Sequence, residues 1–210
     1  MTTDAKFWDN IAPRYAAQPV KDIPAFDRKK AITRALLRPD STVLEVGCGT
    51  GSLALELSRS AGHIHAIDVS AEMIRIANEK KAKQGVSNVT FAQGTLDGDA
   101  PPPGDFDAVW AYSILHLVPD RRATLRRIFE LMKPGGVLVS SNVCLGDSWV
   151  PYRPLLAVMR WLGKAPSVTV YDRETLANDL RDAGFVEIEE RDVGASKLVA
   201  FVLARKPPTN

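Results

Sequence analysis

The stretch VLEVGCGTG, Val43 to Gly51, constrains the fold of this chain more than any other. Apolar β-formers interrupted by one acid read as a buried strand, and they run into three glycines at alternate positions, Gly47, Gly49 and Gly51. Glycine allows a sharp turn and a close backbone approach to a ligand. The helix-period segment that follows would present its free N–H groups at the same place. Such a strand, turn and helix form the first unit of an open α/β sheet that holds a nucleotide-like ligand at its carboxyl edge. The spacing is G-x-G-x-G, not the G-x-G-x-x-G that sets a helix N-terminus on a pyrophosphate, which disfavours a dinucleotide oxidoreductase. Glu45 inside the strand is unexpected for an apolar core. Asp68, 17 residues beyond Gly51, ends a second strand-like run where a carboxylate can accept the hydroxyl protons of a ribose. A ribose without a required pyrophosphate points to an adenosine derivative.

The rest of the chain supports a doubly wound α/β fold, because strand-like runs alternate with helix-period segments. STVLEV, HIHAIDV, NVTFAQG, FDAVWAYS and VLVSSNV read as five successive strands. Ser70 is placed to cap the helix AEMIRIANEKKAKQG, which Gly85 stops. DAPPPGD reads as a proline-rich loop, and in DRRATLRRIFELM a helix carries Leu125, Ile128, Phe129 and Met132 on one face. KPGG is expected to break the chain before the fifth strand. Gly146 to Val170 is less regular, Asp172 can cap RETLANDLRDAG, and FVEIEERDV and KLVAFVLARK supply two final strands.

Composition narrows the functional classes. A chain of 210 residues with 45% hydrophobic content is expected to form a single domain over 1–210. A formal net charge of +2 is too mild for a phosphate-tracking surface, so nucleic acid is not expected as a partner. Two cysteines and three histidines provide neither a disulfide framework nor a local zinc cluster. His63 and His65 share one strand face without a third ligand nearby. The N-terminus has no signal-like apolar region and no run suits a membrane span, so a cytoplasmic protein is expected.

Taken together, these residues resemble the class I S-adenosylmethionine-dependent methyltransferases, in particular the small-molecule branch that includes quinone-biosynthesis enzymes. The resemblance covers nearly the whole chain. FWDNIAPRY is similar to that branch's N-terminal helix, VLEVGCGTG to its glycine motif and IDVS to its ribose acid; FDAVWAYSILHLVPD, LMKPGGVLVSS and AGF (Ala183–Phe185) match in order and spacing. The resemblance implies a seven-stranded, mostly parallel sheet ending in an antiparallel hairpin, S-adenosyl-L-methionine as cofactor, and a small apolar or aromatic acceptor. It places Gly47, Cys48, Gly49 and Gly51 around the cofactor's methionine part, with Glu45 below and Asp68 on the ribose. Tyr15 joins this set, Val69 and Met73 pack near the adenine, and Ala111 and Tyr112 meet the amino-acid end. Relatives carry an acid after the third strand. Here QGTL stands there, so Gly94, Thr95 and Leu96 border the adenine, with Thr95 or Asp97 in the acid's place. A monomer or homodimer without metal is expected.

Methyl transfer needs alignment and exclusion of water more than acid–base chemistry, because the sulfonium already activates the methyl group. A base is required only for a protonated nucleophile; His116 and Tyr112 are the candidates, with a structural role favoured for His116. All eight Trp and Tyr residues fall in three places: the N-terminal segment, the end of the fourth strand, and the insert after the fifth. One reading is a lid made by residues 1–30 and the insert 146–171, with Trp8, Trp149, Tyr152 and Trp161 over the acceptor. The other is that these rings cover a sheet edge or a dimer contact. Arg121, Arg122, Arg126 and Arg127 read as a solvated basic helix face, with RNA binding the minority alternative. Macromolecule modification and non-catalytic cofactor binding are the rival functions.

Overall fold

The computed structural model describes residues 3–98, 104–162 and 165–209. Seven strands form one sheet in the order β3-β2-β1-β4-β5-β7-β6. They are β1 (Thr42–Val46), β2 (His63–Asp68), β3 (Val89–Gln93), β4 (Phe106–Tyr112), β5 (Met132–Val143), β6 (Val186–Glu190) and β7 (Val199–Arg205). β1 to β5 run parallel, while β7 lies antiparallel between β5 and β6, as the terminal pair of strands suggests. The strand order reverses between β1 and β4, so the ligand crevice of such a sheet opens at their carboxyl ends.

Alternation along the strands divides the core into two layers. Val43, Ile64, Ala108 and Trp110 pack with α2 (Ile23–Ala35), α3 (Ser52–Leu57) and α4 (Ala71–Gln84). Leu44, Val46, Val109 and Leu138 pack with α5 (Arg121–Leu131) and α7 (Arg173–Asp182). The first helix, α1 (Thr3–Ala17), lies on α4 through Trp8, Ala12, Ala16, Met73 and Ile76. Ser70, Asp120 and Asp172 each accept an N–H bond from the first turn of α4, α5 and α7, so local side chains fix where these helices begin. Gly85 ends α4 in the left-handed region.

Three local readings need correction. KPGG does not break the chain: α5 stops at Leu131, and β5 runs on from Met132 through these residues. The register against β4 shifts between Phe106 and Ala108, and the Gly135 amide donates to the Lys206 carbonyl at 2.9 Å. The Lys206 amide, just past β7, donates in turn to the Gly136 carbonyl at 3.0 Å, so the segment is a bulge within a strand. The insert is more regular than its sequence suggests, with α6 (Tyr152–Trp161) inside it. The Arg face of α5 is not simply solvated. Arg121, with a side chain only 9% exposed, and Arg122 both bind the wholly buried carboxylate of Asp179 on α7. The Arg121 guanidinium also lies 3.8 Å from the centroid of the buried Tyr171 ring.

Of the proline-rich loop DAPPPGD, residues 99–103 lie outside the described residues. Among those described, no helix is long and apolar enough to cross a membrane, and no group of three His, Cys, Asp or Glu could hold a metal ion. His63 instead shares a 2.9 Å hydrogen bond with Thr90.

Candidate functional site

A cavity of about 360 Å³ opens at the carboxyl ends of β1, β2 and β4. It is lined by Gly47, Gly49, Asp68, Val69, Met73 and the segment Gly94, Thr95, Leu96 and Asp97. Ile114, Leu117, Val118 and Pro119 add an apolar wall, and Trp8 and Tyr15 of α1 also line it.

The glycines of the turn have separate tasks. A Cβ on Gly47 would stand 2.7 Å from Ile114, and one on Gly51 would stand 2.5 Å from Phe91 and 2.9 Å from Ala77. Both positions therefore serve close packing. At Gly49 the nearest atom to a Cβ is Tyr15 Cε1 at 3.8 Å, so the missing side chain leaves room in the cavity. This separation predicts different failures. Gly51→Ala should lower unfolding free energy by about 3 kcal/mol through left-handed strain and overpacking. Gly49→Ala should cost only about 1 kcal/mol of strain while weakening ligand binding. Thermal melts and calorimetric titration of the two variants separate these effects; equal losses of stability would refute the division.

Asp68 holds the turn as well as facing the cavity. Its Oδ2 accepts from the Gly49 N–H at 2.8 Å and its Oδ1 from the Ser70 N–H at 2.9 Å. Burial raises this carboxyl above its usual range, and the two amides pull it back. The Ser70 hydroxyl donates to Asp9 Oδ1 at 2.6 Å, and the same oxygen accepts from the Glu72 N–H at 3.1 Å. A carboxylate of α1 thus caps α4 and fastens α1 beside the cavity.

Glu45 is placed differently. It is 3% exposed, accepts from the Ala54 amide, and its Oε2 has no hydrogen-bond partner. Burial pushes its carboxyl up to about 8, with the Asp68 charge acting in the same direction. Asp68, beside the room left at Gly49, is a carboxylate of the cavity wall and fits a ligand with a ribose, whereas Glu45 does not line the cavity. The shift also fixes a pH dependence. The folded chain holds this proton up to about 8 and the unfolded chain only to about 4.5. The associated stability is fully present below about 4.5 and is lost as pH rises through about 8. Glu45→Gln should therefore gain melting temperature relative to the parent as pH rises across that window; a constant difference would refute the assignment.

Several sequence expectations do not meet at the cavity. Ala111 is buried in the α5 and α7 layer, and its neighbours Tyr112, Ser113 and Ile114 line the site instead. The Tyr112 hydroxyl is 2.6 Å from Thr33 Oγ1 on α2, and burial raises its pKa, so it is not placed as a base. His116 lies outside the lining; burial lowers it to about 4 and leaves its Nδ1 without a partner. Cys48 and Gly51 are buried around the turn rather than in the cavity wall. Trp110 is wholly buried in the core. Trp149 and Trp161 are 94% and 84% exposed and do not line the cavity, and Tyr152 borders a separate cleft beside Arg121 and Asp172. Of the two segments expected to form a lid, only α1 lines the cavity. The apolar wall from Ile114 to Pro119 was missed as a set; its signal was the run SILHLVP directly after the fourth strand.

Residues 37–176 match a family model described as a methyltransferase domain. The ubiquinone biosynthesis O-methyltransferase of Xanthomonas campestris pv. campestris (strain B100) is 32% identical over 141 residues, 66% of this chain and 56% of the relative, so the chain spans little more than half of that protein's length. The demethylmenaquinone methyltransferase of Lactococcus lactis subsp. lactis (strain IL1403) is 30% identical over 196 residues, 80% of this chain and 76% of the relative. In fold, the chain is similar to the crystallised cyclase SpnF, with a TM-score of 0.77, 21% identity, and coverage of 98% and 95% of the two chains.

Proposed function

Because the chain belongs to the methyltransferase-domain family, we propose that it transfers the methyl group of S-adenosyl-L-methionine to a small apolar or aromatic acceptor of the quinone type. The observation that carries this reading is one cavity lined both by the glycine turn with Asp68 and by the apolar residues Ile114, Leu117, Val118 and Pro119. Asp68 would hold the ribose hydroxyls, Gly49 would admit the methionine part, and Val69, Met73 and Leu96 would enclose the adenine. Thr95 and Asp97 are the polar groups beside it. The cofactor supplies an electrophilic methyl group on a sulfonium.

The protein's part is then to bind, align and keep water away. Trp8 and Tyr15 cover the cavity from α1, and the Asp9 cap on α4 holds that cover in place. The apolar wall would position a planar acceptor by exclusion; among the described residues the lining holds no imidazole, and its two phenols are Tyr112, bonded to Thr33, and Tyr15, whose pKa burial raises. This suits an acceptor that ionises on its own or is carbon-nucleophilic. Two of the four arginines behind the RNA alternative, Arg121 and Arg122, are engaged with Asp179, which weakens that reading.

The test is transfer of label from S-adenosylmethionine to a panel of hydroxylated aromatics and quinols. Trp8→Ala should raise the acceptor KM about tenfold, in line with loss of roughly 1.4 kcal/mol of contact. Trp149→Ala with Trp161→Ala should leave the KM of a water-soluble acceptor unchanged. Tight cofactor binding with no transfer to any of the panel would overturn the small-acceptor reading.

A further inference from the structure

The strongest unexplained feature lies away from the cavity. Of the nine large hydrophobic residues exposed among those described, five fall between positions 149 and 162: Trp149, Leu155, Val158, Trp161 and Leu162. α6 buries none of its residues. Between 148 and 171 the described residues include Arg153 and Arg160 and no acid, although the whole chain has 25 acids in 210 residues. Arg153 and Arg160 are both exposed.

We propose that α6 and its flanks dock on an anionic membrane surface, lying in the interface plane. Exposed indoles next to arginines suit the headgroup zone, where the ring is half solvated and the guanidinium reaches lipid phosphate. Ten residues make a helix of roughly 15 Å, far too short to span a bilayer. A second copy of the chain fits less well. A two-fold contact through this face would set arginine against arginine with no acid in the segment to offset them. The insert is also fastened at its return. The Thr169 N–H donates to the His116 carbonyl at 2.8 Å and the Gly146 N–H to the Tyr171 carbonyl at 2.8 Å. His116 sits within the run that supplies the apolar wall of the cavity, so docking would hold that wall beside the lipid. The inference does not depend on which acceptor is methylated, since binding is read without turnover.

The experiment is flotation of the purified full chain with phosphatidylcholine vesicles, with and without phosphatidylglycerol. Binding is expected only with phosphatidylglycerol, falling at least tenfold between about 0.05 M and 0.5 M salt. Arg153→Gln with Arg160→Gln should weaken it roughly 30-fold. Trp149→Ser with Trp161→Ser should abolish it and also remove quenching of tryptophan fluorescence by brominated lipid. Melting temperature should not change in either double variant, because all four substituted side chains are exposed. Failure of the parent chain to bind phosphatidylglycerol vesicles, equal binding to both lipids, or binding untouched by these substitutions would overturn the proposal. So would a dimer in sedimentation velocity that the tryptophan substitutions dissociate.

Discussion

Asp68→Ala is expected to weaken S-adenosylmethionine binding by about 100-fold or more. Among the described residues, the carboxylate is the only acidic side chain that both faces the cavity and pins the glycine turn, accepting the Gly49 and Ser70 amides at 2.8 and 2.9 Å. Its removal takes away the proposed acceptor for the ribose and frees the amide of Gly49, where the missing side chain leaves room in the cavity. Hydrogen bonds to a charged group contribute about 1.5–3 kcal/mol each, so loss of two reaches the stated factor. Asp68→Asn should fall between the two, since one carbonyl oxygen can still accept one amide. Calorimetric titration of all three proteins with S-adenosylmethionine and S-adenosylhomocysteine checks this. Undiminished affinity in Asp68→Ala would move the cofactor away from this crevice, whereas loss in both variants with the fold intact would support it.

The second large effect concerns the fold alone. Asp179→Ala is expected to lower unfolding free energy by about 3–5 kcal/mol, the usual cost of breaking a buried ion pair from one side. Asp179 is wholly buried and binds Arg121 and Arg122, and the Arg121 side chain is itself almost entirely covered. Alanine would strand that guanidinium over the Tyr171 ring without its counter-charge. For a chain of this size the melting temperature should fall by about 10 °C. Combining Asp179→Leu with Arg121→Met should restore much of the loss, since an apolar pair of similar volume avoids the desolvation cost. Cofactor binding should be unaffected in the variants that fold. A fall of less than about 1 kcal/mol in Asp179→Ala would show that water reaches the pair.

The glycine turn was legible in the sequence because it is a local matter: strand, turn and helix follow in order, and backbone sterics dictate glycine where φ is positive at 47, 49 and 51. The same locality made the caps at Ser70 and Asp172 readable, and the alternation of elements implied a parallel sheet. The terminal antiparallel pair followed from the order of elements, through the family resemblance. What could not be read was everything that needs two distant segments to meet. KPGG carries the residues of a break, yet β4 and β7 flank it and turn it into a bulge. Arg121 looked solvated until α7 brought Asp179 against it, 58 positions along the chain. Tyr112 and His116 carry side chains capable of proton transfer, but the strand's alternation turns the first toward Thr33 and burial silences the second. Trp8 and Trp161 are the same residue type on similar helices. Only packing decides that one lines the cavity and the other stands in solvent, because burial depends on which surfaces the chain folds against it.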